Sequence, residues 1–504
     1  MTSLLSVFLL TLVSGGVGWL VEKAFSNEDD RSLDRWGRRL ALGLVWIFGA
    51  LLLMDLLSVR WTRGSVGVVV ALIAGGLWFD GWRSRTASGR PAGLRSSFGW
   101  GDLAALGTVI LYGFIAAGRQ IGLPDFVYHW GIKAHRSFLA GGIDWHFLSD
   151  SLHLAAHPDY PHLVPTLTAL SSLIEGRFAE GGAMLWSAVF FAAMLLAGRE
   201  TLRRAGADAF SAQAGIAVLA LVTAMFGIGY RMAGAADWPI ALAIVLALPA
   251  LLSPLARSSP QPSAARTDAP ASAASFDLSA PRRTSSTPVS LRGPHSLQLQ
   301  APAPSRDEVG EKVGLGRADD LRVSAAAALA TAAKIEGPVL AGVLLGVWIA
   351  LRWRRSGWSW RRLFGLVLMP AVVGLPWLAM SARHGLFQAT NSGAPDLGRA
   401  ATIAAGLVEA LQTIEWHAVP WLLVVLPWLL VLRRTRIAAL VIAGQLAFYL
   451  AVYFTAPVDV DFYVRSSFPR LLFHLVPALL IVGTVALAVP GRSAAPRTAR
   501  NRRR

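Results

Sequence analysis

The chain has 504 residues, of which 54% are hydrophobic and only 15% are charged, with 47 Lys and Arg against 30 Asp and Glu. A soluble domain carries about 25% charged residues, so this composition excludes a large water-soluble protein. The lack of cysteine excludes disulfide bonds, iron–sulfur clusters and thiolate zinc sites.

Apolar segments of membrane-spanning length recur along the whole chain. A helix needs about 20 apolar residues to cross about 30 Å of hydrocarbon. The predicted spans are 4–22, 38–59, 64–81, 101–118, 183–198, 211–229, 237–253, 338–351, 364–381, 418–432, 437–455 and 471–489. We therefore predict an all-α polytopic membrane protein with about 11–13 transmembrane helices. The first of them is expected to be a retained helix and not a cleaved signal peptide.

Arginines are concentrated in short connections between these segments. The clusters are Arg31–Arg39, Arg199–Arg204, Arg352–Arg362, Arg433–Arg436 and Arg497–Arg504. Positive charge of this kind marks cytoplasmic loops, so we expect an outer N-terminus and a cytoplasmic C-terminus. The polar segments 119–162, 382–417 and 456–470 are then on the outer face. No basic stripe interleaved with aromatic residues occurs outside these loops, so nucleic acid is not an expected partner.

Composition divides the chain into five regions. Residues 254–320 form an insertion that is rich in Ser, Pro, Ala and Arg. Such a segment cannot bury enough apolar surface to fold, so it is predicted to be disordered and cytoplasmic. The regions are the N-terminal transmembrane helices 1–100, a membrane core 101–253 with the outer loop 119–162, the insertion 254–320, the C-terminal transmembrane helices 321–490 and the basic tail 491–504.

Two apolar stretches do not fit simple spans. Residues 163–176 are too short and are predicted to form an interfacial or re-entrant helix. In the stretch 324–351, the sequence Lys334-Ile335-Glu336-Gly337-Pro338 interrupts the apolar pattern. Gly and Pro break the helical hydrogen-bond ladder, so we expect two half-helices that enter and leave on the cytoplasmic side.

The outer loop 119–162 contains six of the ten histidines and is expected to include short interfacial helices. Asp125 follows the fourth span directly, where partial desolvation would suit a general base or a metal ligand. It could equally be an ordinary loop residue that caps the next helix. His153 and His157 would share one face of a helix and could bind a metal, but the ligand set is incomplete and Pro158 favours a rigid turn.

Ionisable residues also occur within or beside the spans. Asp237 begins a span and could be catalytic or a helix cap. Lys334 and Glu336 lie in an apolar stretch and could be functional or only a mutual ion pair. Arg465 and Arg470 lie on the outer side, where a guanidinium group suits a phosphate.

Five pieces of sequence resemble bacterial glycosyltransferases of the GT-C membrane fold, the clan that includes protein O-mannosyltransferases. They are Asp125–Ala134 (DFVYHWGIKA), His157–Pro165 (HPDYPHLVP), Ala236-Asp237, Thr331–Gly337 (TAAKIEG) and Ser467–Pro477 (SFPRLLFHLVP). The resemblance covers about 119–253 and 321–490. It implies transfer of a hexose or pentose, with inversion, from a polyprenyl-phosphate-linked donor to a glycan, lipid or protein acceptor. The expected location is the outer face of a bacterial cytoplasmic membrane, in the assembly of the cell envelope.

The resemblance also assigns roles to individual residues. Asp125 would activate the acceptor, with Mg²⁺ or Mn²⁺ left open as a cofactor there, and Asp237 would be the second acid of the catalytic site. Lys334 or Arg470 would hold the donor phosphate, and Arg465 is added to them because an outward arginine beside a span suits a phosphate. The supporting residues would be Lys133, His157, Asp159, Tyr160 and Glu336.

Three other classes of protein share some of these features. A transporter or flippase of lipid-linked saccharides would explain the spans, the helix break and the arginines, although no internal repeat is visible. A polymerase or ligase of lipid-linked saccharides would share the large outer loop but depend on arginines and a histidine more than on an outer acid. A membrane scaffold would not need ionisable groups at the ends of several spans.

Overall fold

The computed structural model describes residues 2–25, 35–83, 98–118, 122, 125–256, 317–356, 359–386, 394–413, 418–456 and 459–488. Within them, the α-helices are α1 Thr2–Phe25, α2 Trp36–Leu56, α3 Arg63–Arg83, α4 Trp100–Ala117, α5 Ile132–Ala140, α6 Trp145–Ser149, α7 Leu163–Glu175, α8 Glu180–Arg204, α9 Ala209–Gly229, α10 Asp237–Ala256, α11 Arg317–Ala333, α12 Gly337–Ser356, α13 Trp360–Arg383, α14 Ala400–Thr413, α15 Ala418–Val431, α16 Arg436–Tyr453 and α17 Val460–Leu487. The same residues contain no β-strand, only isolated bridges at Gly122.

The protein is an all-α polytopic membrane protein. Eight of the described helices are long and apolar enough to cross a membrane: Ser3–Phe25, Trp36–Leu56, Trp100–Ala117, Glu180–Arg204, Ala209–Gly229, Trp360–Arg383, Arg436–Tyr453 and Val460–Leu487. Five further helices contain apolar stretches of 10–17 residues whose side chains the structure describes, namely Arg63–Gly75, Leu163–Glu175, Asp237–Leu252, Gly337–Trp353 and Trp421–Val431. The predicted spans therefore all correspond to helices.

Two central helices, α10 and α11, are enclosed by the rest of the bundle. Nearly every described side chain of both is buried, including the whole stretch 323–330 of α11. Helix α10 packs against α8, α11 and α17, while α11 packs also against α2, α12 and α13. The alanines of α11 let neighbouring backbones approach closely, which is how helices associate in a membrane. The residues that follow α11 and begin α10 are therefore held rigidly.

A network of buried charges joins the helix ends that carry the arginines. Glu22 at the end of α1 pairs with Arg38 of α2 and with Arg39, whose Nε lies 2.5 Å from Glu22 Oε2. In the same network, Arg322 Nη2 of α11 lies 2.8 Å from Glu200 Oε1 of α8. These arginines are therefore buried within the bundle. Since Arg322 and Lys334 are separated by most of α11, the network lies roughly 18 Å from the helix break.

The structure corrects three boundaries. The last helix begins at Val460, not at 471, so most of the predicted outer segment 456–470 is helical. The predicted outer segment 382–417 contains α14, which packs Ile403 and Ala410 towards α17. The ends of the predicted insertion, 254–256 and 317–320, are helical, while its remaining residues and the basic tail lie outside the described residues.

Candidate functional site

Asp237 is the centre of a cluster of charged side chains. It begins α10, where a helix N-terminus favours a carboxylate, and its side chain is fully buried. Its Oδ1 lies 3.1 Å from Lys334 Nζ and 2.9 Å from His474 Nε2, and its Oδ2 lies 2.9 Å from Arg470 Nη2. Side chains from the break after α11 and from α17 therefore converge on one carboxylate that solvent does not reach.

Arg470 connects this buried carboxylate to an accessible one. Its Nη1 donates a hydrogen bond to Asp125 Oδ2, while its Nη2 donates to Asp237. The side chains of Asp125 and Arg470 are 27% and 21% exposed. Of the two predicted catalytic acids, only Asp125 can therefore contact a substrate, and Asp237 positions cations behind it.

The predicted break between α11 and α12 supplies Lys334 and Glu336 to the cluster. Lys334, Ile335 and Glu336 separate α11 from α12, and Lys334 Nζ lies 3.9 Å from Glu336 Oε1. A side chain at Gly337 would collide with the carbonyl oxygen of Ala330, so glycine is required where the chain turns into α12. The sequence Lys-Ile-Glu-Gly thus places Lys334 against Asp237 and Glu336 beside Lys334.

A histidine that the sequence did not indicate completes the surroundings of Asp237. The carboxylate can only accept, so His474 donates from Nε2. Its Nδ1, 2.6 Å from the Tyr449 hydroxyl, then accepts from that tyrosine. His474 lies one helical turn after Arg470, so a search for polar residues at that spacing within the last span could have found it.

The loop 119–162, predicted to lie on the outer face, contains a π-helical turn, Phe126–Gly131, which follows Asp125 directly. Single π turns are frequent at functional sites. The turn brings His129, which the sequence analysis also missed, close to Asp125, with 3.7 Å between Nε2 and Oδ1. The His129 ring lies 4.7 Å from the ring of His157, and His157 stacks on Tyr160 at 4.8 Å.

Lys133 is buried under the loop and stabilises it. Its Nζ donates a 3.0 Å hydrogen bond to the carbonyl of His157 and lies 4.7 Å from the centre of the Trp130 ring. Burial lowers the pKa of Lys133 to about 7, although the nearby Asp159 opposes this shift. Asp159 itself is buried, so the predicted supporting residues Lys133, His157, Asp159 and Tyr160 are indeed neighbours, and they support the loop that carries Asp125.

His157 has an unusual backbone conformation and a lowered pKa. Its φ is 48°, in the left-handed region that residues other than Gly and Asn rarely adopt. Burial, assisted by the positive charges of His129 and Lys133, lowers its pKa to about 4. A neutral imidazole therefore faces the site at neutral pH.

Two predicted features do not join the cluster. Arg465 is 46% exposed and pairs with Asp461 and with Glu409, whose Oε1 lies 2.5 Å from Arg465 Nη1. His153 and His157 do not share a helix, because the helix that contains His153 ends at Ala156 and is kinked, in agreement with the turn that Pro158 favours. Neither Arg465 nor His153 contacts Asp237 or Asp125.

The oxygen and nitrogen atoms of the cluster are not arranged as ligands for a metal ion. Among the described residues, no group of three or more His, Asp or Glu side chains could hold a metal ion. Asp125 is engaged by Arg470, and Asp237 by three nitrogen donors. Among the described side chains of the cluster, the three carboxylates of Asp125, Asp237 and Glu336 accompany the two cations of Lys334 and Arg470 when the histidines are neutral.

One cavity lies next to the π turn, and a second lies between helices of the bundle. A pocket of about 330 Å³ is lined by Phe126, His135, Phe178, Glu180 and Met184. An apolar groove of about 730 Å³ runs between α1, α4 and α8, and its lining includes Leu185, the neighbour of Met184.

Comparisons with family models, with curated proteins and with solved structures gave no match for this chain.

Proposed function

We propose that this protein is a membrane glycosyltransferase that transfers a sugar from a polyprenyl-phosphate-linked donor to an acceptor on the outer face of a bacterial cytoplasmic membrane. The observation that carries the proposal is the position of Arg470 between the accessible Asp125 and the buried Asp237. An acid and a cation side by side are the two groups that glycosyl transfer from a phosphate needs.

The donor phosphate would compete with Asp125 for Arg470. A guanidinium group binds a phosphate through two parallel hydrogen bonds, and Lys334 adds a second positive charge nearby. Asp237 would keep both cations in place, because it holds each of them from behind. Binding of the donor would thereby release the Asp125 carboxylate, so that a base is uncovered only when the donor is present.

The released carboxylate would then act as the general base. The acceptor hydroxyl oxygen forms a bond to the anomeric carbon while the bond from that carbon to the phosphate oxygen breaks. The hydroxyl proton goes to Asp125, and the electron pair of the broken bond leaves with the polyprenyl phosphate. Arg470 and Lys334 stabilise the charge that develops on the leaving phosphate. Attack opposite the leaving group inverts the anomeric configuration.

The apolar groove offers a path for the lipid part of the donor. Several of its residues are open to the membrane, among them Phe8, Ile110 and Phe114. One of its lining residues, Leu185, follows Met184, which lines the pocket at Phe126. A lipid chain lying in the groove would be in contact with apolar side chains and would enter from the bilayer.

The experiment that tests this proposal uses the full-length protein in lipid nanodiscs. Undecaprenyl phosphates that carry glucose, mannose, galactose or arabinose are added together with an envelope extract as the acceptor source. Release of undecaprenyl phosphate by wild type, and none by Asp125→Asn, supports the proposal. Equal release by both proteins, or none by either with every donor, contradicts it.

The helix break favours one alternative, a flippase of lipid-linked saccharides. Broken helices with ionisable residues occur at the substrate sites of transporters. In proteoliposomes, a flippase would move a fluorescent lipid-linked saccharide between leaflets without releasing polyprenyl phosphate. The enclosed position of α11 argues against it, because the rocking motions of transport need helices that can separate.

A further inference from the structure

Glu336 has one carboxylate oxygen that the cluster leaves unused. Its Oε1 faces Lys334, but its Oε2 is buried and has no hydrogen-bond partner among the described residues. A buried acceptor without a donor is costly, and native structures rarely keep one without a reason. A ligand hydroxyl is a donor that would satisfy it.

Four tyrosines lie on this side of the cluster. They are Tyr160, whose ring stacks on His157, Tyr449 of α16, and Tyr453 of α16 with Tyr463 of α17, whose rings pack edge to face at 5.5 Å. Two of these hydroxyls already have partners, since Tyr449 bonds to His474 and Tyr453 lies 3.0 Å from Ser467 Oγ. Tyr160 and Tyr463 are partly exposed, so they form the side that a ligand can approach.

Aromatic rings and a carboxylate together suit a ligand with both apolar and hydroxylated edges. Aromatic rings offer a large apolar surface with specific packing geometry, and the tyrosine hydroxyls can both donate and accept hydrogen bonds. A pyranose or furanose ring presents C–H groups on its faces and hydroxyls at its edge. A simple phosphate would gain nothing from this side of the cluster.

We propose that Glu336, Tyr160 and Tyr463 bind the sugar ring of the donor, with Glu336 Oε2 accepting a hydrogen bond from a sugar hydroxyl. This inference rests on the proposed function, because it places the sugar beside the phosphate held by Lys334 and Arg470. The Glu336 carboxylate, 3.9 Å from Lys334 Nζ, lies close enough for one donor molecule to contact both side chains. Glu336 is then a specificity-determining residue and not merely the ion-pair partner of Lys334.

The test compares the affinities of two probes, undecaprenyl phosphate without a sugar and the sugar-bearing form that wild type binds best. Measurements use the full-length protein in nanodiscs, with wild type, Glu336→Gln and the matched control Glu409→Gln, whose carboxylate pairs only with the exposed Arg465 among the described contacts. The preference for the sugar-bearing probe should fall about tenfold or more in Glu336→Gln and stay unchanged in Glu409→Gln. The affinity for the bare phosphate should hold or rise, because a negative charge beside Lys334 has been removed.

Other outcomes overturn the inference in distinguishable ways. If Glu336→Gln changes both affinities by the same factor, Glu336 only neutralises Lys334, and the phosphate site of the proposed function survives. The same conclusion follows if wild type binds both probes equally. If wild type binds neither probe, the proposed function fails together with the inference. Tyr463→Phe provides a second variant should Glu336→Gln not fold, and an unchanged preference in that variant also overturns the inference.

Discussion

Arg470 donates hydrogen bonds to both Asp125 and Asp237, although these residues are 345 and 233 positions away in the chain. One side chain therefore joins the start of the π-helical turn, the start of α10 and α17. Asp125 is accessible and paired with Arg470, and the buried Asp237 holds Arg470 in place. Asp125 can therefore react with a substrate, whereas Asp237 positions the arginine.

Replacing Asp125 by Asn is expected to lower kcat by about two to four orders of magnitude, the usual contribution of a general base. The donor should bind as well as before or more tightly, because an amide competes less than a carboxylate for Arg470. Steady-state rates and donor affinity, measured on the same nanodisc preparation, check this. The control is Asp461→Asn, on α17 but paired with Arg465. A loss of donor affinity in Asp125→Asn, with kcat retained, would contradict the role of base.

Replacing Arg470 by Ala is expected to weaken donor binding about tenfold to a hundredfold, since it removes charge-assisted hydrogen bonds to the phosphate. Arg465→Ala removes the same kind of side chain five residues earlier and should change donor binding by less than about twofold, because exposed ion pairs contribute little. Binding of undecaprenyl phosphate to both variants provides the measurement. Equal losses would show that the donor phosphate does not depend on the charged cluster.

Asp237 and Lys334 should show strong energetic coupling. Asp237→Asn leaves two buried cations without their shared carboxylate, which is expected to cost about 3–5 kcal/mol of stability. In the double variant Asp237→Asn with Lys334→Met, part of this loss should be recovered, because one of the unpaired charges is gone. Thermal unfolding in detergent, arranged as a double-mutant cycle, measures the coupling. Strictly additive effects would mean that the two side chains do not interact as described.

His157 should make the outer loop sensitive to acid. Its pKa in the folded protein is about 4, below its ordinary value of 6.5, so between these pH values the unfolded chain binds more protons. Stability contributed by a neutral His157 is therefore lost as the pH falls from about 6.5 towards 4. His157→Asn, which tolerates the positive φ, should show a smaller fall in unfolding temperature between pH 7.5 and pH 4.5 than wild type. The exposed His146→Asn is the matched control, and an equal fall in His157→Asn and wild type would contradict the prediction.

The membrane architecture was predictable because length and hydropathy are local properties. The start of the last helix was not, because Asp461, Arg465 and Arg470 make its first turns polar. These turns are helical in the structure because Arg465 pairs with Asp461 one turn away and Arg470 is neutralised by two distant carboxylates. The distant carboxylates that neutralise Arg470 are brought to it only when the bundle folds.

The candidate site was predicted in part. Asp125, Asp237, Lys334 and Arg470 were named from the sequence, and the structure brings them together. Arg465 was grouped with Arg470 because both lie on the outer side, yet five residues correspond to about 140° around a helix, so the two side chains point in different directions. His129 and His474 were missed because a single histidine beside aromatic or apolar residues has no signal of its own. Their roles depend on distances to Asp125 and Asp237 that no local pattern specifies.

The most direct test of the central claim is mass spectrometry of envelope glycolipids and glycans. It compares a deletion strain with strains complemented by wild type or by Asp125→Asn. The account predicts that one hexose or pentose is missing from an acceptor in the deletion strain and that only wild type restores it. Restoration by both versions, or accumulation of a complete lipid-linked precursor in the deletion strain, would contradict the account and favour a flippase or a polymerase.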